Sequence, residues 1–300
     1  MPLEFAKLSS GQLLELSPER TVFFFPVGPI EDHGPHLPVG IDLLQALQLC
    51  FSAAQRVERE LPGWQGVIMP GAPLGVEANT QKIAVKVRAH VLRDWLVDAC
   101  RSLAKTGFRH FTCFSGHLGP KQLTAIEDAS RIVSKMNIMR PKSRRISLIS
   151  ASSALVRARD LRHSFFFSNP KEHGGAEDTS WALFMKLVPR PESIPQLARQ
   201  DASDSLIARG IRRAGGQVSG YWGDPSQASA EQGQQRLVEQ LDLIFPKLRA
   251  VWEGGSSPNA LFRSWYSILF FNKSFFHAWV IAFGILAMFV LWYWVAVMTH

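Results

Sequence analysis

Residues 21–42 read TVFFFPVGPIEDHGPHLPVGID, and this stretch decides how the chain folds. Its first part, residues 21–28, is a short and almost wholly apolar run, typical of a strand that is buried on both faces of a sheet. The part that follows crowds acids and histidines into a segment broken by glycine and proline. Such residues seldom build a core, and their place after a buried strand favours a ligand-binding role.

Strand-like and helix-like segments alternate along the chain on either side of this stretch. Further strands are expected at residues 67–70, 109–116 and 144–150. Apolar residues at spacings of three and four predict helices at residues 43–60, 91–105, 121–136, 176–187 and 230–250. The alternation predicts an α/β protein, a three-layer α/β/α sandwich with a mostly parallel sheet.

Two clusters of acids and histidines follow predicted strands, where open α/β sheets bind their ligands. Glu31, His33 and Asp42 come after the first strand, and His117 comes after the strand at 109–116. Glu31 and His33 lie two apart, so their side chains point the same way in an extended loop. Carboxylates and imidazoles together suit zinc, manganese or iron, and the four residues predict a metal site.

A third cluster, EHGGAEDTS at residues 172–180, precedes a predicted helix. It has a structural interpretation as a helix N-terminus, with Glu177 and Asp178 favourable to the helix dipole and two glycines forming a turn. His36 also has two interpretations, as a site residue or as the donor of a structural hydrogen bond in a turn flanked by proline.

Four segments resemble the signatures of the creatininase (creatinine amidohydrolase) family. They are PVGPIEDHGPHLPVGID (26–42), SGHLGP (115–120), HGGAEDTS (173–180) and GYWGDPSQASAEQG (220–233). The resemblance spans roughly residues 21–250. It implies an α/β/α sandwich and a metal-dependent hydrolase that cleaves C–N bonds of amides. It also implies one or two ions of zinc, manganese or iron, and assembly as a homo-oligomer, often a hexamer.

The resemblance assigns roles to individual residues. Those on metal-ligand positions are Glu31, His33, Asp42 and His117, with Asp42 on the bridging position. His173 falls on a position that serves substrate binding or proton transfer. The implied mechanism is hydrolytic, and the candidates to carry a proton to the leaving nitrogen are His173, Glu177 and Asp178.

The chain also departs from the family pattern. Ser115 and Pro120 stand where amide side chains often flank the histidine of the second segment, and Gly119 stands where creatininase has a further carboxylate ligand. In the third segment Asp178 replaces the usual Glu before the Thr. An alternative function therefore stays open, a catalytically inactive creatininase-like binding or scaffold protein at the membrane.

The C-terminal region has a different composition. Residues 275–298 contain no Asp, Glu, Lys or Arg and have aromatic residues towards both ends, which predicts a transmembrane helix; a buried core helix is the alternative. The preceding flank carries Lys247, Arg249, Arg263 and Lys273. By the positive-inside rule, we expect a single-pass membrane protein with its globular part in the cytoplasm.

The expected organisation is a creatininase-like metallohydrolase domain at 1–252, a linker and interfacial segment at 253–274, and a transmembrane helix at 275–298. The net charge of +8 fits contact with membrane lipid, while the absence of a stacking-aromatic pattern argues against nucleic acid as a partner. The remaining partner is a small-molecule or peptide amide substrate. Three scattered cysteines argue against a disulfide framework.

Overall fold

The computed structural model describes residues 2–76, 83–141, 144–158, 172–200, 220–262 and 273–298. A parallel sheet contains β1 (Leu3–Glu4), β2 (Thr21–Val27), β4 (Gln65–Ile68), β6 (His110–Ser115) and β7 (Ser147–Ser150). These strands lie in the order β1-β4-β2-β6-β7, and every neighbouring pair is parallel. A separate antiparallel pair joins β3 (Ile30–Glu31) to β5 (Ala84–Val85).

Helices cover both faces of the sheet. They are α1 (Ser10–Leu14), α2 (Ile41–Glu60), α3 (Ala89–Lys105), α4 (Pro120–Lys135), α5 (Ala151–Ala158), α6 (Ala176–Phe184), α7 (Ala230–Trp252) and α8 (Lys273–Met298). The predicted three-layer α/β/α sandwich with a mostly parallel sheet is confirmed. The predicted boundaries lie within three residues of the observed ones. Two differ by three residues: β7 begins at Ser147 instead of residue 144, and α6 ends at Phe184 instead of residue 187, just before Lys186 adopts φ 58° in the left-handed region.

Strand β2 lies in the middle of the sheet, and all seven of its residues are buried. Its side chains alternate between the faces, as strand geometry requires. Phe23 and Phe25 face the layer of α3 and α4, whereas Phe24 faces the layer of α2 and α7, where its ring makes an edge contact with Trp252 at 6.0 Å. The apolar run therefore supplies both cores of the sandwich from one strand.

The three cysteines are free thiols buried in these two cores. Cys50 lies in the α2 layer, and Cys100 and Cys113 lie in the α3–α4 layer. Burial raises the pKa of each thiol above its ordinary value, so all three stay protonated at neutral pH.

The segment after α7 packs against the domain as far as Phe262. A 3-10 turn at Pro258–Leu261 leads to Leu261 and Phe262, which are both buried. The Arg157 guanidinium donates hydrogen bonds to the carbonyls of Ala260 (2.6 Å) and Phe262 (3.2 Å). The Arg131 guanidinium lies 4.3 Å from the centre of the Phe262 ring. This part of the predicted linker is therefore clamped to the domain by two arginines.

Helix α8 contains the stretch Val280–Met298, whose mean hydropathy of 2.4 and length are sufficient to cross a membrane. No part of this stretch is buried by the rest of the described structure, which argues against the core-helix alternative. The predicted interfacial segment lies mostly at residues 263–272, outside the described residues.

His110 gives a prediction about stability and pH. Its ring packs against Trp64 at 5.2 Å and its Nε2 lies 3.1 Å from the Glu19 carbonyl. Burial, with a smaller contribution from the Arg109 charge, lowers the pKa of His110 to about 4. The neutral ring therefore contributes stability that is complete above pH 6.5, the unfolded pKa, and is lost as pH falls towards 4.

We expect the wild-type protein to lose about 2 kcal/mol more unfolding free energy than His110→Gln between pH 7 and pH 5. Urea unfolding in mild detergent at the two pH values measures this difference. His90→Gln, at the start of α3, is the control and should follow the wild type. Equal losses in wild type and His110→Gln would contradict the prediction.

Candidate metal centre

Two neighbouring strands bring the candidate ligands together at the carboxyl edge of the sheet. Residues Val22 to Val27 of β2 pair in parallel with residues His110 to Ser115 of β6, so the loops after both strands emerge side by side. Glu31 lies in β3, in the loop after β2, and Asp42 lies in the first turn of α2. His117 lies between β6 and α4. The parallel pairing is the reason that residues 75 positions apart in sequence converge.

The predicted side chains are in contact. His117 Nδ1 lies 3.0 Å from Glu31 Oε1 and 3.4 Å from Asp42 Oδ2. His33 Nε2 lies 3.5 Å from Asp42 Oδ1 and 3.9 Å from Glu31 Oε1. The two oxygens of Asp42 thus face different histidines, an arrangement that suits a bridging carboxylate. Glu31, His33 and Asp42 are almost fully buried, and the His117 side chain is 15% exposed.

The electrostatics of the cluster reflect two buried carboxylates beside two imidazoles. Burial alone lowers the pKa of His33, but Asp42 outweighs it and the pKa rises to about 9. Burial likewise opposes protonation of His117, yet Asp42 and Glu31 raise its pKa well above the usual value. Asp42 has a pKa far below its usual range because the two histidines outweigh its burial. The carboxylates therefore require positive charge beside them.

The donor set fits a divalent cation. Two groups have ligand atoms that all lie within 4.8 Å of one another, Glu31–Asp42–His117 and Glu31–His33–His173. Asp42 Oδ2 and His117 Nε2 are buried and have no hydrogen-bond partner among the described residues. His33 Nδ1 lies 3.1 Å from the Glu31 carbonyl, a contact that fixes the ring and leaves Nε2 for a ligand bond.

His173 lies beside this cluster in a stack of three rings. Its imidazole is sandwiched between His33, at 4.1 Å, and the indole of Trp222, at 4.6 Å. Its Nε2 lies 3.0 Å from the Asp32 carbonyl, and its backbone exchanges two hydrogen bonds with the backbone of Trp222. Burial lowers the pKa of His173 and the adjacent His33 lowers it further, so the ring is neutral at pH 7. Its position is compatible with a proton carrier.

The other two predicted proton carriers have different surroundings. Asp178 accepts hydrogen bonds from the Gly174 N–H (2.8 Å) and from the Gln45 side-chain amide (3.1 Å). These bonds tie the His173 loop to helix α2. Glu177 is half-buried in the first turn of α6, and its backbone N–H donates to Glu172 Oε1.

Sequence reasoning did not select Glu172 or Trp222. Burial raises the pKa of Glu172 to about 7, and the nearby Asp178 and Glu177 charges act in the same direction. Two features of the sequence could have pointed to these residues. Glu172 stands directly before His173, and Trp222 lies within the fourth segment that resembles a family signature.

His36 had two interpretations in the sequence. Its Nε2 lies 3.0 Å from Thr179 Oγ1, and its ring packs edge-on against Tyr221. Both contacts fit the structural interpretation of His36.

Glycines allow the loops of the site to approach one another closely. A Cβ atom on Gly116 would overlap the backbone carbonyl of Asp42, which means that the His117 loop rests directly on the start of α2. A Cβ on Gly174 would overlap the His33 carbonyl, and Gly174 also has φ 61°. Both positions therefore require the absence of a side chain.

Gly116→Ala tests this packing. We expect the added methyl group to separate Asp42 from His117 and to cost about 1–3 kcal/mol of unfolding free energy, with loss of bound divalent metal. Thermal unfolding and elemental analysis of the purified protein measure both effects. Gly40→Ala is the control, because a Cβ there meets its nearest neighbour at an ordinary 3.7 Å. A Gly116→Ala variant with wild-type stability and metal content would refute the prediction.

Comparisons with known proteins agree with this architecture. Two solved structures, a manganese creatininase and a creatininase variant of Zn-Zn type, superpose with TM-scores of 0.62 and 0.63 at 18% and 17% identity, each over 84% of this chain and 99% of the other. A mycofactocin precursor peptide peptidase from Mycobacterium ulcerans (strain Agy99) is 26% identical over 262 residues, 84% of this chain and 92% of that protein. The family model described as Creatininase: Creatinine amidohydrolase matches residues 6–244. The chain therefore belongs to the creatininase family of amidohydrolases.

Proposed function

We propose that this protein is a metal-dependent hydrolase that cleaves a C–N bond in a peptide or a small amide while held at a membrane. One observation carries the catalytic part, the convergence of Glu31, His33, Asp42 and His117 at the carboxyl edge of the sheet. Two of these residues are carboxylates that are buried away from solvent, and their charge is best balanced by a cation.

In this proposal, Glu31, Asp42 and His117 would hold one divalent ion, and His33, whose Nε2 faces Asp42 Oδ1, would hold a second together with Asp42. Manganese and zinc are the first candidates because creatininases of the same fold are described with these metals, and iron suits the same donors. A divalent ion bound there would lower the pKa of a coordinated water and polarise the scissile carbonyl.

The remaining residues of the site handle protons and orientation. In this proposal His173, which is neutral at pH 7 and stacks between the rings of His33 and Trp222, accepts a proton and delivers it to the leaving nitrogen. Glu177 is a second candidate for the same transfer. Asp178 orients the His173 loop through its two hydrogen bonds and acts on the reaction through His173.

A peptide is the substrate class that we favour over creatinine. The support is the relative described as a precursor peptide peptidase, which matches most of this chain at higher identity than the creatininase structures do. Assembly as a homo-oligomer, a hexamer by family resemblance, belongs to the same proposal.

A second candidate function is a creatininase-like scaffold without turnover. Gly119 favours it: the residue caps α4 two positions after His117 and has no side chain to offer a second ion. The two candidates differ in whether the cluster binds metal stoichiometrically and whether an amide is hydrolysed.

Asp42→Asn separates these functions, since it keeps the shape of the side chain and removes its charge. We expect the wild type to retain divalent metal and to hydrolyse members of a peptide-amide library, and Asp42→Asn to lose the metal and most of the activity, about 100-fold or more. Elemental analysis and mass spectrometry of the library measure both.

Asp128→Asn, which alters an 8%-exposed acid outside the cluster, is the control and should keep its metal. A folded wild type without metal and without hydrolysis of any library member or creatinine would support the scaffold function instead.

We also propose that α8 anchors the protein with its catalytic domain in the cytoplasm. The domain organisation is then a hydrolase domain at 1–252, the linker and interfacial segment at 253–274, and the membrane helix at 275–298. Part of the linker, up to Phe262, rests on the domain. The cations before the span, such as Lys247 and Arg249, support the orientation.

Truncation after Phe262 tests the anchor and leaves the clamped segment intact. We expect the truncated chain to move from the membrane fraction to the soluble fraction, because the apolar span is removed. Ultracentrifugation after alkaline carbonate extraction measures the distribution. Deletion of residues 299–300 alone is the control. A truncated protein that stays in the carbonate-resistant pellet would argue against a single C-terminal anchor.

A further inference from the structure

The excess of positive over negative charge in the chain falls within one segment. From Ala129 to Arg159 the sequence has eight lysines and arginines and neither aspartate nor glutamate, and eight is also the net charge of the whole chain. The segment runs from the end of α4 through β7 and α5, and Arg140, Arg144 and Arg145 lie in the connection between α4 and β7. The described part of that connection, residues 136–141 and 144–146, is called the basic loop below.

The basic loop has an apolar tip among its cations. Ile138 is 79% exposed and Met139 is 93% exposed, the largest exposed fractions among the large hydrophobic residues that the structure describes. Arg144 and Arg145 are exposed on the other arm of the loop. Exposed apolar side chains next to arginines match the boundary between lipid headgroups and acyl chains. There the apolar side chains contact the acyl chains and the arginines contact the anionic headgroups.

The loop is held in this shape by hydrogen bonds. The Asn137 side chain donates to the Ile146 carbonyl at 2.7 Å and accepts from the Ile146 N–H at 2.8 Å. The Arg144 N–H donates to the Pro141 carbonyl at 2.9 Å. Asn137 therefore joins the two arms of the basic loop at its base.

The route to the membrane anchor starts near this loop. Arg131, which covers the Phe262 ring, lies one turn before the end of α4, and the basic loop follows directly. Ten residues, 263–272, connect Phe262 to α8 and span at most about 35 Å. A connection of that length keeps the domain near the bilayer but does not fix which face of the domain is turned towards the bilayer.

We propose that the basic loop is a second membrane contact, which rests on the anionic headgroups of the bilayer that holds α8. The proposal depends on the membrane anchor of the proposed function and adds the surface that faces the lipid. Helix α4 has 16 residues, about 24 Å, and begins three positions after His117. The metal centre therefore lies at the end of the domain that faces away from the membrane.

A fluorescent label on the full-length chain tests the contact. The three native cysteines are buried, so Met139→Cys provides a reactive exposed thiol for an environment-sensitive probe. The labelled protein is reconstituted in phosphatidylcholine vesicles with about 30% phosphatidylserine, which supplies the anionic surface. We expect a shift of emission to shorter wavelength and quenching by lipids that carry a nitroxide on the acyl chain.

The matched control is Gln227→Cys, an exposed position on the turn after Trp222 at the opposite end of the domain, which should stay unquenched. We expect the quenching at 139 to be lost in neutral vesicles and in the variant Arg144→Glu with Arg145→Glu. The pair Arg190→Glu with Arg236→Glu should leave it unchanged.

Three outcomes would overturn the proposal. They are equal quenching at 139 and 227, the same emission shift in detergent when RNA is added, and a shift in detergent that grows with protein concentration, which would assign the loop to a second copy of the chain. Vesicle flotation of the full-length protein is measured first. Failure to float contradicts the anchor, whereas a floating protein with an unquenched label contradicts only the loop contact.

Discussion

The burial of two carboxylates at one edge of the sheet is the constraint on which the site depends. Glu31 and Asp42 are 0% and 3% exposed, and an isolated carboxylate in that position is very costly. His33 and His117 lie against them, and the raised pKa values of both imidazoles express the same demand for positive charge. A cation meets that demand without protonating the ligands. The glycines at 116 and 174 serve this arrangement by letting three loops close around it.

The layered architecture follows from the sequence because its signals are long. Helices such as α2 and α3 repeat their apolar spacing over four or more turns, and β2 is apolar throughout. The convergence of the four candidate ligands was predictable for a related reason. The loops that follow neighbouring parallel strands start side by side at the same edge of the sheet. Short elements were missed, among them the two-residue strands of the β3–β5 pair, because two residues carry no period.

Contacts between segments that are distant in the chain could not be predicted from the sequence. Trp222 stacks on a histidine 49 positions earlier, and Asp178 bonds a glutamine side chain of α2. Neither pairing leaves a periodic or compositional trace. The end of α6 was misplaced for a local reason, the left-handed backbone of Lys186, which is an uncommon conformation for lysine.

The placement of the three cysteines has a consequence for oxidative damage. Oxidants and alkylating agents attack the exposed thiolate, and here each thiol is protonated and enclosed in a core. Scattered, unpaired cysteines usually suggest a reducing compartment. These three, however, are kept in the thiol form by burial and do not depend on a reductant. Peroxide should spare them while the fold is intact, so these cysteines do not restrict the protein to a reducing compartment.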